Sequence, residues 1–158
     1  MWRKIVKTGR VAEPAPERAD GEVPEKAAEL AGSVQIRHVD AGSCNGCEVE
    51  IASAFGPVYD AERYGARLVA SPRHADALLV TGPVTRNMEM ALRRTHDAVS
   101  EPRLVIALGD CARDCGVFAG AYGVAGAVRD VVDVDVEVPG CPPRPEEIVA
   151  ALRGLTGR

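Results

Sequence analysis

The sequence predicts an α/β fold, an open parallel sheet with flanking helices, on two observations. From Val34 onward, short β-branched or leucine-rich runs alternate with helical segments, the texture of successive βαβ units. Five cysteines, spaced C-x2-C-x63-C-x3-C-x25-C, lie just past the ends of three of those runs, beside glycine or proline. With 158 residues, 46% of them hydrophobic, the chain has material for one sizeable core, and its length favours one domain.

Residues 1–33 read as an arm ahead of that domain, which spans 34–158. The arm opens with a basic segment in which Trp2, Ile5 and Val6 suit an amphipathic foot on a membrane or a partner protein. A frayed, solvated tail is the plainer alternative. Pro14, Pro16 and Pro24 punctuate the rest, which is too poor in apolar residues to offset the entropy of ordering.

Strands are expected near Val34–Val39, Arg67–Ala70, Ala77–Thr81, Leu104–Leu108 and Val134–Val138. Helices fit Glu48–Phe55, about Arg86–Ser100, a short stretch around Gly116–Val124, and Pro145–Leu155. The Arg86 helix carries Met90, Leu92 and Val99 as candidate core residues. The last helix opens with Pro145-Glu146-Glu147, proline and acids where a helix N-terminus favours them.

A net charge of −4 offers no basic field for nucleic acid, and no nucleic-acid-binding signature is present. No apolar stretch approaches the roughly 20 residues that span a bilayer, and no signal-peptide segment opens the chain. A cytosolic or peripheral location follows as the expectation. In a reducing compartment, motif-spaced cysteines favour metal binding or redox chemistry over disulfides.

On a parallel sheet the loops past the strands' carboxyl ends share one edge, where ligands bind. Cys44 and Cys47 follow the first strand, Cys111 and Cys115 the fourth, and Cys141 the fifth, so distant loops can converge there. Glycine lets a backbone approach a bulky inorganic group, and proline stiffens the turn behind it. A zinc ribbon would pair two C-x2-C knuckles roughly 15–20 residues apart, and this chain has one such pair. Thioredoxin-like chemistry would use Cys44 and Cys47 and leave Cys111 and Cys141 unexplained. A [4Fe-4S] cluster takes four thiolates from sequence-distant loops in a glycine-rich pocket and fits better than either. Cys44, Cys47, Cys111 and Cys141 stand just beyond strands and are the candidate ligands. Cys115, one helical turn past Cys111, is read as a spare buried thiol, the alternative being that it replaces or supplements Cys111 as a ligand.

Cys44-Asn45-Gly46-Cys47, Gly109-Asp110-Cys111-Ala112, Gly116-Val117-Phe118 and the run Val138 to Glu146 closely resemble one family. It comprises the small, cluster-bearing subunits of membrane-associated nickel-iron hydrogenases and hydrogenlyases, together with the B subunit of complex I (NADH-quinone oxidoreductase). The resemblance runs from about Val34 to Leu155 and includes Ser71–Asp76 and Thr81–Met88. It implies a flavodoxin-like fold holding a single [4Fe-4S] cluster near the catalytic site of a large partner subunit. The matching ligands are again Cys44, Cys47, Cys111 and Cys141. Complex I B subunits have adjacent cysteines in the first loop, so Cys-Asn-Gly-Cys here favours the hydrogenase branch. Many relatives carry Gly-Gly where this chain has Cys115-Gly116, so Cys115 replaces a glycine and is no family ligand.

His38, His74 and His96 each stand alone in their segments and read as structural, with proton transfer the rival role. Glu48 and Glu50 follow Cys47 and suit a helix N-terminus before a proton relay. Arg144, close to Cys141, could raise a cluster's potential or form a surface ion pair.

The expectation is therefore an electron-transfer subunit of an oxidoreductase complex, not catalytic alone, with one [4Fe-4S] cluster. Its expected partners are a large catalytic subunit, a neighbouring iron-sulfur subunit and membrane subunits that hold it on the cytoplasmic side of the membrane. The alternatives are a quinone-reducing module of the NADH-quinone oxidoreductase B type and a zinc-stabilised scaffold.

Overall fold

The computed structural model describes residues 24–30 and 32–158. Five strands build the sheet: β1 (Val34–Asp40), β2 (Ala66–Leu68), β3 (Ala77–Thr81), β5 (Leu104–Leu108) and β7 (Val136–Val138). They pair in the order β2-β1-β3-β5-β7, every pair parallel. Counted along the main sheet this is the flavodoxin-like order 2-1-3-4-5, with its switch point between β1 and β3.

Between the strands lie helices α2 (Gly46–Ala54), α3 (Arg86–Asp97), α4 (Asp110–Asp114) and, at the end, α5 (Pro145–Thr156). Central strands read as unbroken apolar runs because both faces of the sheet are covered. Ala77 and Leu79 of β3, with Leu104, Ile106 and Leu108 of β5, face Ile51 of α2 and Ile148 and Leu152 of α5. The alternate residues Leu78, Val80, Val105 and Ala107 face Leu92 of α3 and the 128–132 segment. That period of two divides one sheet into two cores.

Four local outcomes differ from the sequence expectations. Met90, expected in the core, is exposed on α3, while Leu92 and Val99 are buried. The stretch 116–124 is a 3-10 turn at Gly116–Phe118 and no longer helix, because Gly116 and Gly120 take positive φ of 45° and 76°. Beyond it β6 (Val124–Gly126) pairs antiparallel with β4 (Val84–Thr85), forming a two-stranded sheet ahead of α3. Within the expected arm, Glu25–Ala28 forms helix α1, whose Ala27 is buried in the core and whose Lys26 Nζ lies 2.8 Å from Asp135 Oδ1. Trp2, Ile5 and Val6 lie outside the described residues.

Candidate metal centre

The three cysteine loops meet at the carboxyl edge of the sheet. Cys44 lies in the β1–α2 loop, Cys47 in the first turn of α2, Cys111 in α4 just past β5, and Cys141 just past β7. Their side chains line one cavity of about 80 Å³, together with Ser43, Gly46, Gly82, Asp110, Gly140 and Pro142. Organic ligands occupy roughly 300–1,000 Å³, so this space suits a compact inorganic group. Cys115 is not on the lining.

Each loop is locally specified. Asp40 Oδ1 accepts the backbone N–H groups of Gly42 (2.9 Å) and Ser43 (2.8 Å), an Asx turn that ends β1. Asn45 at φ 73° then starts α2. Gly109 ends β5 at φ +90°; a Cβ there would stand 2.8 Å from Cys47 Sγ, so glycine leaves room for the thiol. Asp110 Oδ1 accepts the Gly140 N–H at 2.9 Å, and the Asp110 N–H donates to Gly140 O at 2.8 Å. The Cys111 and Cys141 loops are thus bonded to one another. Gly140 itself sits at φ +133° against Pro143.

Burial differs round the ring. Cys47 is buried, Cys111 half-buried, and Cys44 and Cys141 exposed, so one side of the site rests on the sheet and the other opens at the surface. Burial, followed by the charges of Glu48, Cys44, Cys111 and Cys141, pushes the Cys47 thiol up to about 12. Cys111 is raised by burial and then by Cys141 and Cys44. Burial and mutual repulsion keep protons on these thiols, and because metals bind the thiolate, loading a cation here would release them. Cys115 is raised by burial and then by Asp130 and Asp114, with no contribution from another cysteine. It is half-buried, which corrects the expectation of a buried spare thiol, and ends α4 at φ 68°. That left-handed position is one that glycine takes more readily than any residue with a side chain.

The donor set fits a [4Fe-4S] cluster: four sulfurs from three loops around a cavity, with apolar and glycine surroundings. Among the described residues no three His, Cys, Asp or Glu side chains close on a point as they would round one ion. A cubane takes each thiolate at a different corner and asks for a ring about a cavity instead.

Of the other residues singled out, His74 is exposed and His96 stands 3.5 Å from Asp97 Oδ1. Glu48 stands in the first turn of α2, as expected of an acid at a helix N-terminus, and its carboxylate accepts the hydroxyls of Ser43 (2.8 Å) and Thr81, while His38 Nε2 lies 2.9 Å from Thr81 Oγ1. Arg144 is exposed at the start of α5, its N–H donating to Glu147 Oε2 at 2.8 Å. Ser43, Thr81 and Asp110 escape a reading of the sequence; the one signal is a threonine closing the apolar run of β3. Two larger clefts, about 420 and 450 Å³, lie elsewhere and contain no cysteine.

A flavodoxin-order sheet with a thiol-lined cavity on its carboxyl edge sets the class: an open parallel α/β protein with a cysteine site on its ligand-binding edge. The chain belongs to the family described as NADH ubiquinone oxidoreductase, 20 Kd subunit, which it matches over residues 44–155. Members are subunits of oxidoreductase complexes. The chain is 48% identical over 114 residues to the probable membrane-bound hydrogenase subunit mbhJ of Pyrococcus furiosus, covering 72% of this chain and 68% of that protein. It is 46% identical over 116 residues to the B subunit of the NADH-quinone oxidoreductase of Flavobacterium johnsoniae, covering 73% and 62%. A solved chain from an archaeal membrane-bound sulfane sulfur reductase superposes with a TM-score of 0.71 at 30% identity, covering 85% of this chain and 74% of that one. No described helix is long and apolar enough to cross a membrane.

Proposed function

We propose that this chain is an electron-transfer subunit holding one [4Fe-4S] cluster through Cys44, Cys47, Cys111 and Cys141. The observation that carries the reading is the convergence of these four thiols, and not Cys115, on one cavity at the sheet's edge. Bound there, the cluster supplies one-electron chemistry across a range of roughly −700 to +450 mV, tuned by local charge and hydrogen bonds. The protein's part is to hold the sulfurs apart, to shield one side with the sheet and α2, and to leave Cys44 and Cys141 at a surface that a partner can cover. No residue at the site transforms a substrate, so chemistry belongs to a large partner subunit. The relatives support membrane-associated assembly through partners, and we place the chain on the cytoplasmic side.

Cys-Asn-Gly-Cys in the first loop favours a hydrogenase-like assembly; the similarity to the B subunit of NADH-quinone oxidoreductase supports quinone reduction as a second reading. The co-purifying large subunit discriminates, since four nickel-binding cysteines in it imply hydrogen chemistry. Iron and acid-labile sulfide at about four each per chain are expected. Zinc without sulfide would replace this reading with a scaffold. Reduction should give a cubane EPR signal, and Cys44→Ser should abolish both signal and turnover.

A further inference from the structure

Beside the cysteines stands a polar cluster that the cluster ligation leaves unused. Thr81, the last residue of β3, is fully buried, and its hydroxyl donates to Glu48 Oε1. A hydroxyl has one proton, so the contact with His38 Nε2 at 2.9 Å is an N–H donated to Thr81 Oγ1. That assigns His38 its Nε2–H form, and burial lowers its proton affinity, leaving it neutral near pH 7. The other carboxylate oxygen, Oε2, accepts Ser43 Oγ–H at 2.8 Å, and Ser43 Oγ in turn accepts the Asn45 N–H at 3.2 Å. Glu48 therefore receives two hydroxyl protons, as an ionised carboxylate does, and bridges the switch-point strand β3 to the residues on either side of Cys44.

We infer that Glu48 is a positioning residue: it anchors the Cys44–Cys47 loop to Thr81 and sets a fixed negative charge beside Cys47 that lowers the reduction potential of the cluster. The inference rests on the cluster reading above. The charge stands one residue from Cys47, the most buried of the four thiols, and 2.8 Å from the hydroxyl of Ser43, which lines the same cavity. His38, the ion-pair partner at 3.5 Å, is neutral and does not offset it. A fixed anion close to an iron-sulfur centre disfavours the added electron, and partial burial limits screening by solvent.

The test uses the intact complex. An EPR-monitored redox titration of Glu48→Gln, which keeps the shape and loses the charge, should move the midpoint upward. Thr81→Val, which removes the anchoring hydroxyl, should release iron to a chelator several-fold faster, and Thr81→Ser should restore the slow rate. If Glu48→Gln does not load the cluster, the Thr81 pair still decides the anchoring role. Either an unmoved midpoint in loaded Glu48→Gln or a wild-type release rate in Thr81→Val overturns the inference. A wild-type complex with no cubane signal overturns the cluster reading instead, and this inference with it.

Discussion

Asp110 Oδ1 accepts the backbone N–H of Gly140 at 2.9 Å and so joins the loop of Cys111 to that of Cys141, 30 residues later. Arg113 Nη1, 3.3 Å from the same oxygen, holds the carboxylate in place. Asp110→Ala would leave the Gly140 N–H without its acceptor, at a cost of about 1–2 kcal/mol. Asp110→Asn retains an acceptor oxygen and should cost less. Denaturant unfolding of the two variants checks the order, and faster chelator removal of iron from Asp110→Ala checks that the bond serves the site.

Cys115 takes a backbone that side chains resist. At φ 68° a non-glycine residue carries about 1–2 kcal/mol of strain, whereas glycine gives back part of the gain as chain entropy. Cys115→Gly should therefore raise stability by up to about 1 kcal/mol and leave iron content unchanged. Iron lost in this variant would make Cys115 a ligand.

How much of this can be read from sequence depends on range. β3 and β5 are legible at their observed bounds because a strand buried on both faces writes an unbroken apolar run. β4 and β6, two and three residues long, carry no period to detect. The cysteine convergence is legible because each loop follows a strand, and parallel strands end on one edge. The bond between Glu48 and Thr81 is not. It depends on the β1–β3 register, in which Asp40 pairs with Thr81 and His38 with Leu79, and that is set by packing between segments about 40 residues apart.

Gly109 gives a prediction of the opposite sign to Cys115. Alanine at φ +90° would be strained, and its Cβ would stand 2.8 Å from Cys47 Sγ and 3.4 Å from Gly140 O. Gly109→Ala should cost about 1–3 kcal/mol and displace the Cys47 thiol. Thermal unfolding reads the first effect, and lowered iron and sulfide per chain reads the second.

His38 gives the fold an acid-side pH dependence. Burial lowers its pKa below the ordinary 6.5, opposed by Glu48 and Asp40 and reinforced by Arg37. As pH falls through about 6.5, the unfolded chain takes up this proton while the folded chain still refuses it. Stability therefore declines from about pH 6.5 down to the folded-state pKa and is independent of this group below it, with a slope of at most about 1.4 kcal/mol per pH unit for one proton. His38→Gln keeps an N–H for Thr81 Oγ1 and removes the titration. Denaturant midpoints measured from pH 8 down to pH 5 should fall less steeply in the variant than in the wild type, and parallel curves would show that His38 titrates alike in both states.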